Sequence, residues 1–368
     1  MQQSIEKKFQ DIVSKKQKGW IACCLRLMLW IFSLPYRLYV NILNWMYNHN
    51  WLRRYCPPVP VVISVGNIVV GGTGKTPMTL KIAQEFYHDY VIAILSRGYR
   101  SPAEKLISPI MLSNRDGPMQ SAAFCGDEPY LLSQRLPKAY VFVGKNRHKA
   151  ADMAAREGVQ LILLDDGMQH RRLARDFDVV VIDATDPFGQ GHYLPRGFLR
   201  EGCSGLSRAS LLIINHVETR ESFDKIKRQL MTYSSAPIIG TQVNVLGIKT
   251  LSDLPIESLE KMKIGIFCGI AHPDYFHRTV SSLGANIVHH AYVGDHKELT
   301  PQELVTFARE CKELGAELIL CTEKDKIKLS ENIQLALPLA WLEIGIKIVE
   351  GEEQYQAFID QIKARLTI

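Results

Sequence analysis

The sequence lacks the cysteine patterns that would indicate a disulfide scaffold or a structural zinc site. Its eight cysteines are scattered, none forms a Cys-x-x-Cys pair, and only Cys23 and Cys24 are close together. Adjacent cysteines rarely bridge, so the pattern excludes a disulfide-stabilised secreted domain and fits a reducing cytoplasm. Internal repeats and low-complexity segments are also absent, so the 368 residues are expected to form one or two ordinary globular domains.

The N-terminal segment, residues 1–56, lacks the small-residue cleavage site of a signal peptide and the uninterrupted run of about 20 apolar residues that a membrane span needs. Its apolar stretch at residues 20–48 contains Arg26, Pro35 and Arg37. Residues 1–60 hold nine Lys and Arg but only two acidic residues, whereas the whole chain has a net charge of +6. We therefore expect amphipathic helices that lie on a membrane surface, with their basic residues near anionic lipids. A buried helical hairpin and a true span are the alternatives.

Short apolar, β-branched runs alternate with helical patterns through the rest of the chain, which predicts strands buried on both faces of a parallel sheet. We expect residues 57–210 to form a P-loop NTPase-like α/β core, with a mostly parallel sheet and helices on both faces. A smaller C-terminal α/β lobe, residues 211–368, is expected to face it across a cleft. The predicted strands are 59–65, 90–95, 140–143, 161–164, 179–182, 211–214, 237–245, 263–268, 317–321 and 339–342, and the predicted helices include 77–87, 146–157 and 301–314.

The stretch GGTGKTP at residues 71–77 follows a predicted strand and precedes a predicted helix, which is the context of a phosphate-binding loop. A Walker A loop has a further glycine five residues before its Gly-Lys-Thr, but Val69 stands there. Lys75 is expected to reach the β- and γ-phosphates, and the Thr76 hydroxyl is expected to hold Mg²⁺. The backbone amides that would surround the phosphate belong to Gly71, Gly72, Thr73 and Gly74. The alternative is an ordinary glycine-rich turn with one lysine.

Two carboxylates, Asp165 and Asp166, follow the apolar strand LILL and are candidate Mg²⁺ ligands beside the phosphate loop. The alternative is an ordinary turn that ends a strand. GTP-binding switches usually carry an Asn-Lys-x-Asp guanine-binding motif late in the chain. The similar letters TEKD at 322–325 have a different spacing, so we expect the nucleotide to be ATP.

Other charged residues are candidates for the acceptor side of a phosphoryl transfer. Asp127 and Glu128 occupy a turn flanked by glycine and proline, and a kinase needs a carboxylate or histidine to take or orient the proton of the acceptor hydroxyl. Arg196, Arg200 and Glu201 lie in the loop YLPRGFLRE, which suits anionic groups. A structural ion pair between Arg200 and Glu201 is the alternative.

Six motifs in this order resemble those of the tetraacyldisaccharide 4′-kinases, the lipid A 4′-kinases of Gram-negative bacteria. A residue other than glycine at position 69 is typical of this family. The matching segments are the loop at 65–77, LSRGY at 95–99, GDEP at 126–129, DDGMQH at 165–170, LPRGFLRE at 194–201 and TEKD at 322–325. In SRGYR, however, a second glycine that often follows the tyrosine is missing.

The resemblance implies transfer of the ATP γ-phosphate to the 4′-hydroxyl of a tetraacylated glucosamine disaccharide 1-phosphate. It also implies an enzyme that is peripheral or monotopic on the cytoplasmic face of the bacterial inner membrane. The expected partners are the lipid A precursor and the membrane surface, whereas no nucleic acid and no obligate protein partner are expected.

The resemblance further implies roles for individual residues. Asp127 would be the acid/base residue, assisted by His296 in VGDHKEL, and Lys75 would act on the phosphate. His272 in GIAHPDYF is expected to be a turn or packing residue. Residues placed around the metal and nucleotide are Asp165, Asp166 and Gln169, and those placed around the substrate are Arg97, Glu128, Arg147, Arg200 and Glu201.

Two functions of other classes would use part of the same site. A membrane-associated P-loop ATPase that acts as a switch would use Lys75, Thr76 and Asp166 but would not need Asp127 as a base for a sugar hydroxyl. A soluble small-molecule kinase with a structural N-terminal helix is the other alternative.

Overall fold

The structure, a computed structural model, describes residues 9, 11–14, 16–294, 298–329 and 333–367. The principal helices are α1 (Trp20–Asn48), α2 (Lys75–Gln84), α3 (Ala122–Cys125), α4 (Asp127–Arg135), α5 (Arg147–Arg156), α6 (Arg220–Leu230), α7 (Pro273–Ser282), α8 (Pro301–Glu313), α9 (Glu323–Lys326) and α10 (Glu352–Leu366). The strands are β1 (Val61–Gly66), β2 (Ile92–Ser96), β3 (Ile110–Asn114), β4 (Tyr140–Val143), β5 (Leu161–Asp165), β6 (Phe177–Asp183), β7 (Leu211–Asn215), β8 (Ile238–Thr250), β9 (Lys263–Cys268), β10 (Asn286–Tyr292), β11 (Leu318–Thr322) and β12 (Leu339–Glu350).

The strands of the described residues form one sheet in the order β10-β9-β11-β12-β8-β7-β6-β1-β5-β2-β4-β3. From β8 to β4 in this order neighbouring strands are parallel, and β3 is antiparallel at the edge. After β1 the chain crosses to β2, which lies on the far side of β5. After β5 it crosses in the opposite direction to β6, which lies on the far side of β1. Strands β1 and β5 therefore flank a topological switch point, and ligands of open α/β sheets bind at the carboxyl ends of such strands.

Strands β8 and β12 form a long antiparallel ribbon, paired from Gly240 with Glu350 to Thr250 with Ala340. Near its start, β8 pairs with β7 in the core, whereas the start of β12 pairs with β11 at the other end of the ribbon. Strand β8 therefore continues beyond the carboxyl edge of the core, and β12 returns towards it. Because β9 and β11 run parallel to β12, their carboxyl ends face the carboxyl edge of the core.

We propose a domain division that differs from the one that the sequence predicts at residue 210. Strand β7 pairs with β6, and Tyr355 and Phe358 of α10 pack in the same apolar cluster as β1 and α2. Both elements therefore lie with the core, although the predicted division places them in residues 211–368. We propose residues 241–350 as the C-terminal lobe, with apolar clusters of its own on its sheet.

Helix α1 is a single helix of 29 residues that continues through Pro35, and only Ala22, Ser33 and Tyr47 are buried. It is long and apolar enough to cross a membrane by length and composition. Because residues 20–48 form one helix with only three buried residues, the alternative of a buried helical hairpin is wrong for this segment. Most large apolar side chains of α1 are exposed, namely Trp20, Ile21, Leu27, Met28, Trp30, Ile31, Phe32, Leu34, Leu38, Tyr39, Ile42 and Trp45.

Candidate active site

The glycine-rich loop lies between β1 and α2, at the switch point of the sheet. Gly74 has a positive φ of 90° at the start of α2, and a Cβ there would overlap the side-chain amide of Asn215. That amide donates to the Thr73 carbonyl at 3.0 Å, and the Asn67 amide donates to the Thr73 hydroxyl, also at 3.0 Å. Two asparagines therefore fix the backbone of this loop, so that its amides are preorganised for an anion at the helix N-terminus.

Lys75 and the two carboxylates after β5 converge beside this loop. The Lys75 ammonium donates to the Gly71 carbonyl at 3.3 Å and lies 3.8 Å from Asp166 Oδ1. Asp165 is buried and accepts hydrogen bonds from Thr79 and Ser96. Burial, with the nearby charges of Glu128 and Asp166, raises the pKa of Asp165 to about 7. Burial acts in the same direction on Asp166, but Lys75 and Arg200 outweigh it and lower the pKa of that carboxyl.

The predicted metal-binding residues fit a magnesium ion that arrives with a nucleotide. Thr76 is 5% exposed in the first turn of α2, next to Lys75. Asp165 is a buried carboxylate held by the hydroxyl groups of Thr79 and Ser96, and a cation beside it would compensate its charge. Among the residues that the structure describes, no three Cys, His, Asp or Glu side chains converge as a metal-ion site. Mg²⁺ commonly takes one or two carboxylates and completes its shell with water and phosphate oxygens.

The loop after β6 completes the polar network around Asp166. Arg200 donates to Asp166 Oδ1 at 2.7 Å and to Gln169 Oε1 at 3.0 Å. The Gln169 amide donates to the Asn67 carbonyl and to Glu201 Oε1, each at 2.7 Å. Glu201, which is 1% exposed, also pairs with Arg208 at 2.8 Å. Arg200 thus pairs with Asp166 and Glu201 pairs with Arg208, rather than with each other. Through Gln169, which contacts Asn67, the loops after β5 and β6 are both tied to the segment that precedes the phosphate loop.

Arg147 is a buried cation at the start of α5 with unused hydrogen-bonding capacity. It is 5% exposed, and its guanidinium donates to the Gly144 carbonyl. Burial lowers its pKa to about 10, although the charges of Asp165 and Asp166 oppose this shift. Its Nε is buried without a hydrogen-bond partner. An anionic ligand in the site would satisfy this donor, because buried polar groups are normally hydrogen-bonded.

Asp127 and Glu128 begin α4 and lie where the core meets the C-terminal lobe. The Lys328 ammonium is 3.4 Å from Asp127 Oδ2, and the Lys324 ammonium is 2.6 Å from Glu128 Oε1. Both lysines follow β11, so the segment after this strand of the C-terminal lobe faces the start of α4 in the core. Glu128 is also close enough to Asp165 to raise its pKa. Asp127 therefore lies at the junction of the lobes, near the Mg²⁺ candidates.

The structure brings together most of the predicted site residues among those that it describes. Arg97 pairs with Glu104 at 2.6 Å, and its charge reaches the centre by lowering the pKa of Arg147. His296 lies outside the described residues, so its role stays a prediction. Asn67 and Asn215, which hold the phosphate loop, were not predicted. The signal for Asn215 is its place at the carboxyl end of a buried strand.

A second contact between the lobes also escaped prediction. His272, which follows β9, lies 3.0 Å from Asp183 Oδ2, and His216 Nδ1 lies 3.2 Å from Asp183 Oδ1. Burial favours a higher pKa for Asp183, but hydrogen bonds from the two histidines hold it well below its usual range. His272, expected to be a turn or packing residue, thus joins the lobe to the end of β6.

Replacement of Asp183 by asparagine is expected to lower the free energy of unfolding by about 1.5 to 3 kcal/mol, because hydrogen bonds to a buried charge are lost. The pKa of Asp183 is lower in the folded than in the unfolded chain, for which the ordinary value is 3.8. Its stabilisation is therefore complete above that value and is lost as the pH falls below it. Urea unfolding of both proteins between about pH 3 and pH 7 measures the difference.

The control is Asp224→Asn, at a side chain that is 45% exposed, which should change stability little. A difference between the wild type and Asp183→Asn that persists unchanged at the lowest pH would contradict the prediction.

Comparison with known proteins gives a consistent result along nearly the whole chain. The model of the tetraacyldisaccharide-1-P 4′-kinase family matches residues 25–365. A tetraacyldisaccharide 4′-kinase of Halothermothrix orenii is 32% identical over 352 residues, with 89% of this chain and 90% of the relative covered. One of Syntrophus aciditrophicus is 35% identical, with 88% and 89% covered. The crystal structure of LpxK from Aquifex aeolicus in complex with ATP matches with a TM-score of 0.74 at 29% identity, covering 92% of this chain and 99% of that one.

Proposed function

The chain belongs to the tetraacyldisaccharide-1-P 4′-kinase family, and we propose that it transfers the γ-phosphate of ATP to the 4′-hydroxyl of a tetraacyl glucosamine disaccharide 1-phosphate in lipid A biosynthesis. One observation carries the proposal. The phosphate loop with Lys75 and the carboxylate of Asp127 both lie at the carboxyl edge of the core, which the C-terminal lobe faces through Lys328, so one can serve the donor and the other the acceptor.

On the donor side, the loop amides of residues 71–74, the N-terminus of α2 and Lys75 would bind the triphosphate. The unpartnered Nε of Arg147 points to a further anionic contact. Mg²⁺, held by Thr76, Asp165 and Asp166, would neutralise charge on the β- and γ-phosphate oxygens when bound. Arg200 and Gln169 hold Asp166 in place and would keep its carboxylate directed at this site.

On the acceptor side, Asp127 would take or orient the proton of the 4′-hydroxyl, and we propose that His296 assists it. Lys328, from the C-terminal lobe, contacts Asp127 and fixes the direction of its carboxylate. Arg97 and Glu128 are proposed to contact the head group of the substrate, whereas Glu201, which is buried and paired with Arg208, is proposed to act through Gln169 and not by direct contact. The facing lobes would exclude water and so limit wasteful hydrolysis of ATP.

We propose that α1 lies on the cytoplasmic face of the inner membrane and brings the site to a lipid substrate. Its exposed surface is apolar and aromatic, and the basic residues of the N-terminal segment would meet anionic lipid headgroups. The acyl chains of the substrate could then stay in the bilayer while its sugar head enters the site.

Replacing Leu38 with glutamate is expected to weaken binding to anionic vesicles by at least about tenfold, since burial of one leucine contributes about 1.5 to 3 kcal/mol. Leu38 is 62% exposed on α1, and Leu254, in the C-terminal lobe, is 63% exposed. Leu254→Glu is therefore a matched control that should bind vesicles like the wild type. Equal loss of binding in both variants, measured by vesicle sedimentation, would contradict the role of α1.

The function is tested by incubating the enzyme with γ-labelled ATP and the lipid disaccharide in mixed micelles. We expect label in the lipid. A membrane-associated ATPase switch would instead release all label as inorganic phosphate, and a soluble small-molecule kinase would leave both the lipid and the free phosphate unlabelled.

A further inference from the structure

Four polar side chains of α1 lie along one face of this otherwise largely apolar helix. They are Tyr36, Asn41, Asn44 and Asn48, spaced by five, three and four residues, and we refer to them as the polar stripe. Asn41, Asn44 and Asn48 share a helix face because they are three and four residues apart, and Tyr36 lies about two turns before Asn44. Tyr36 and Asn44 are half-buried and Asn41 and Asn48 are exposed, and all four contact the loops of the candidate active site.

Three contacts join the stripe to the loop after β6. The Tyr36 hydroxyl donates to the Arg200 carbonyl at 3.0 Å, and the Asn44 amide lies 3.5 Å from Glu201 Oε2. The Tyr193 hydroxyl donates to Asn41 Oδ1 at 3.0 Å. The backbone and side chains next to Asp166 and Gln169 are therefore supported from α1.

A buried arginine joins the stripe to the loop after β5. Arg171, which is 6% exposed, donates to Asn44 Oδ1 at 3.0 Å and to Asn48 Oδ1 at 2.7 Å. Its guanidinium also lies 5.2 Å from the ring centroid of Tyr47. A cation in the last turns of a helix is favoured by the helix dipole. Because Gln169 is two residues away, α1 also anchors the loop that carries Asp166.

We propose that Tyr36 and Asn44 are positioning residues, through which α1 sets the geometry of the Arg200–Asp166–Gln169 network beside the phosphate loop. The proposal rests on the kinase function proposed above. Helix α1 would then be part of the catalytic architecture as well as a membrane contact, and the site would be fully ordered only when both loops are held by the stripe. Partners that orient metal ligands typically contribute about 10- to 100-fold to activity, and Tyr36, which acts one contact further out through Arg200, is expected to contribute less.

The test compares two Tyr→Phe variants. Tyr36→Phe removes the hydroxyl that donates to Arg200, whereas Tyr233→Phe removes a hydroxyl from a side chain that follows α6 and is 42% exposed. We expect kcat for lipid phosphorylation in mixed micelles to fall by about 3- to 10-fold in Tyr36→Phe, the value of one hydrogen bond, and to be unchanged in Tyr233→Phe. The KM for lipid and vesicle binding should stay at wild-type values in both.

Asn44→Asp is a second variant that separates positioning from folding. Aspartate repels Glu201 but gains an ion pair with Arg171, so the two effects on the unfolding temperature oppose each other, while kcat should fall by about tenfold. The proposal is overturned if kcat of Tyr36→Phe and Asn44→Asp equals that of the wild type, or if their losses lie only in KM or vesicle binding. A wild-type enzyme that leaves the lipid unlabelled would instead refute the proposed function.

Discussion

Replacing Asp127 with asparagine is expected to lower kcat for lipid phosphorylation by about 10²- to 10⁴-fold, the usual contribution of a general base. Asparagine has nearly the same shape and can still accept a hydrogen bond, but it cannot take a proton from the 4′-hydroxyl. The affinity for ATP should change little, because the phosphate loop is built on the other side of the site. Label transfer in mixed micelles and equilibrium binding of a nucleotide analogue measure the two effects separately.

Asp253→Asn is a suitable control for this variant. Asp253 lies in the C-terminal lobe, its side chain is 63% exposed, and it is 3.7 Å from Lys326. It should therefore show wild-type activity. The unfolding temperature of Asp127→Asn should be compared as well, since the contact with Lys328 joins the two lobes. Retention of more than a tenth of wild-type kcat by a folded Asp127→Asn protein would rule out Asp127 as the base.

Replacing Lys75 with methionine is expected to reduce kcat/KM for ATP by about 10²- to 10³-fold, because the variant loses a preorganised charge at the transferred phosphate. In the wild type this ammonium is held by the Gly71 carbonyl and Asp166, so it is already directed at the phosphate site. Methionine retains the length of the side chain and leaves α2 undisturbed. The loss should appear in both kcat and the KM for ATP, and KM for the lipid should be unaffected.

Lys81 provides the matched control for Lys75, since it lies six residues later on the same helix. Its ammonium pairs with Glu85 at 3.2 Å and lies over the ring of Tyr355, away from the phosphate loop. Lys81→Met should have wild-type kinetics. The role given to Lys75 would be refuted if Lys75→Met and Lys81→Met showed equal activity in the same assay.

The parallel strands of the core were predictable because they are buried on both faces and therefore carry nearly continuous apolar runs. The bounds of β4 and β9 agree with the predicted ones. Strands β3 and β10 were not predicted, because they lie at the two ends of the sheet and carry polar residues such as Asn114 and His289. Strand β12 is longer than predicted, since its second half is only partly buried in the ribbon.

The site residues that could be predicted are those whose place at the end of a strand can be read from the neighbouring sequence. Asp165 ends β5 and Asp166 follows it, while Lys75 begins the helix after the loop that follows β1, and the carboxyl ends of parallel strands meet at one edge. Contacts between distant segments have no such local signal. The Tyr36–Arg200 hydrogen bond joins residues 164 positions apart, and the Asp183–His272 pair depends on how the ribbon directs the lobe.

The ribbon also makes the C-terminal lobe an insertion in the topological sense. The chain leaves the core after Gly240 and returns at Glu350, and these two residues are paired across neighbouring strands. Paired residues of antiparallel strands have Cα atoms about 4.5 to 5.5 Å apart. A turn of a few residues could therefore bridge the gap, and α10 would still reach its place on the core. The lobe's contribution to the site, which includes Lys324 and Lys328, can thus be gained or lost as one genetic unit, while the core keeps the phosphate loop, Asp127 and both chain ends.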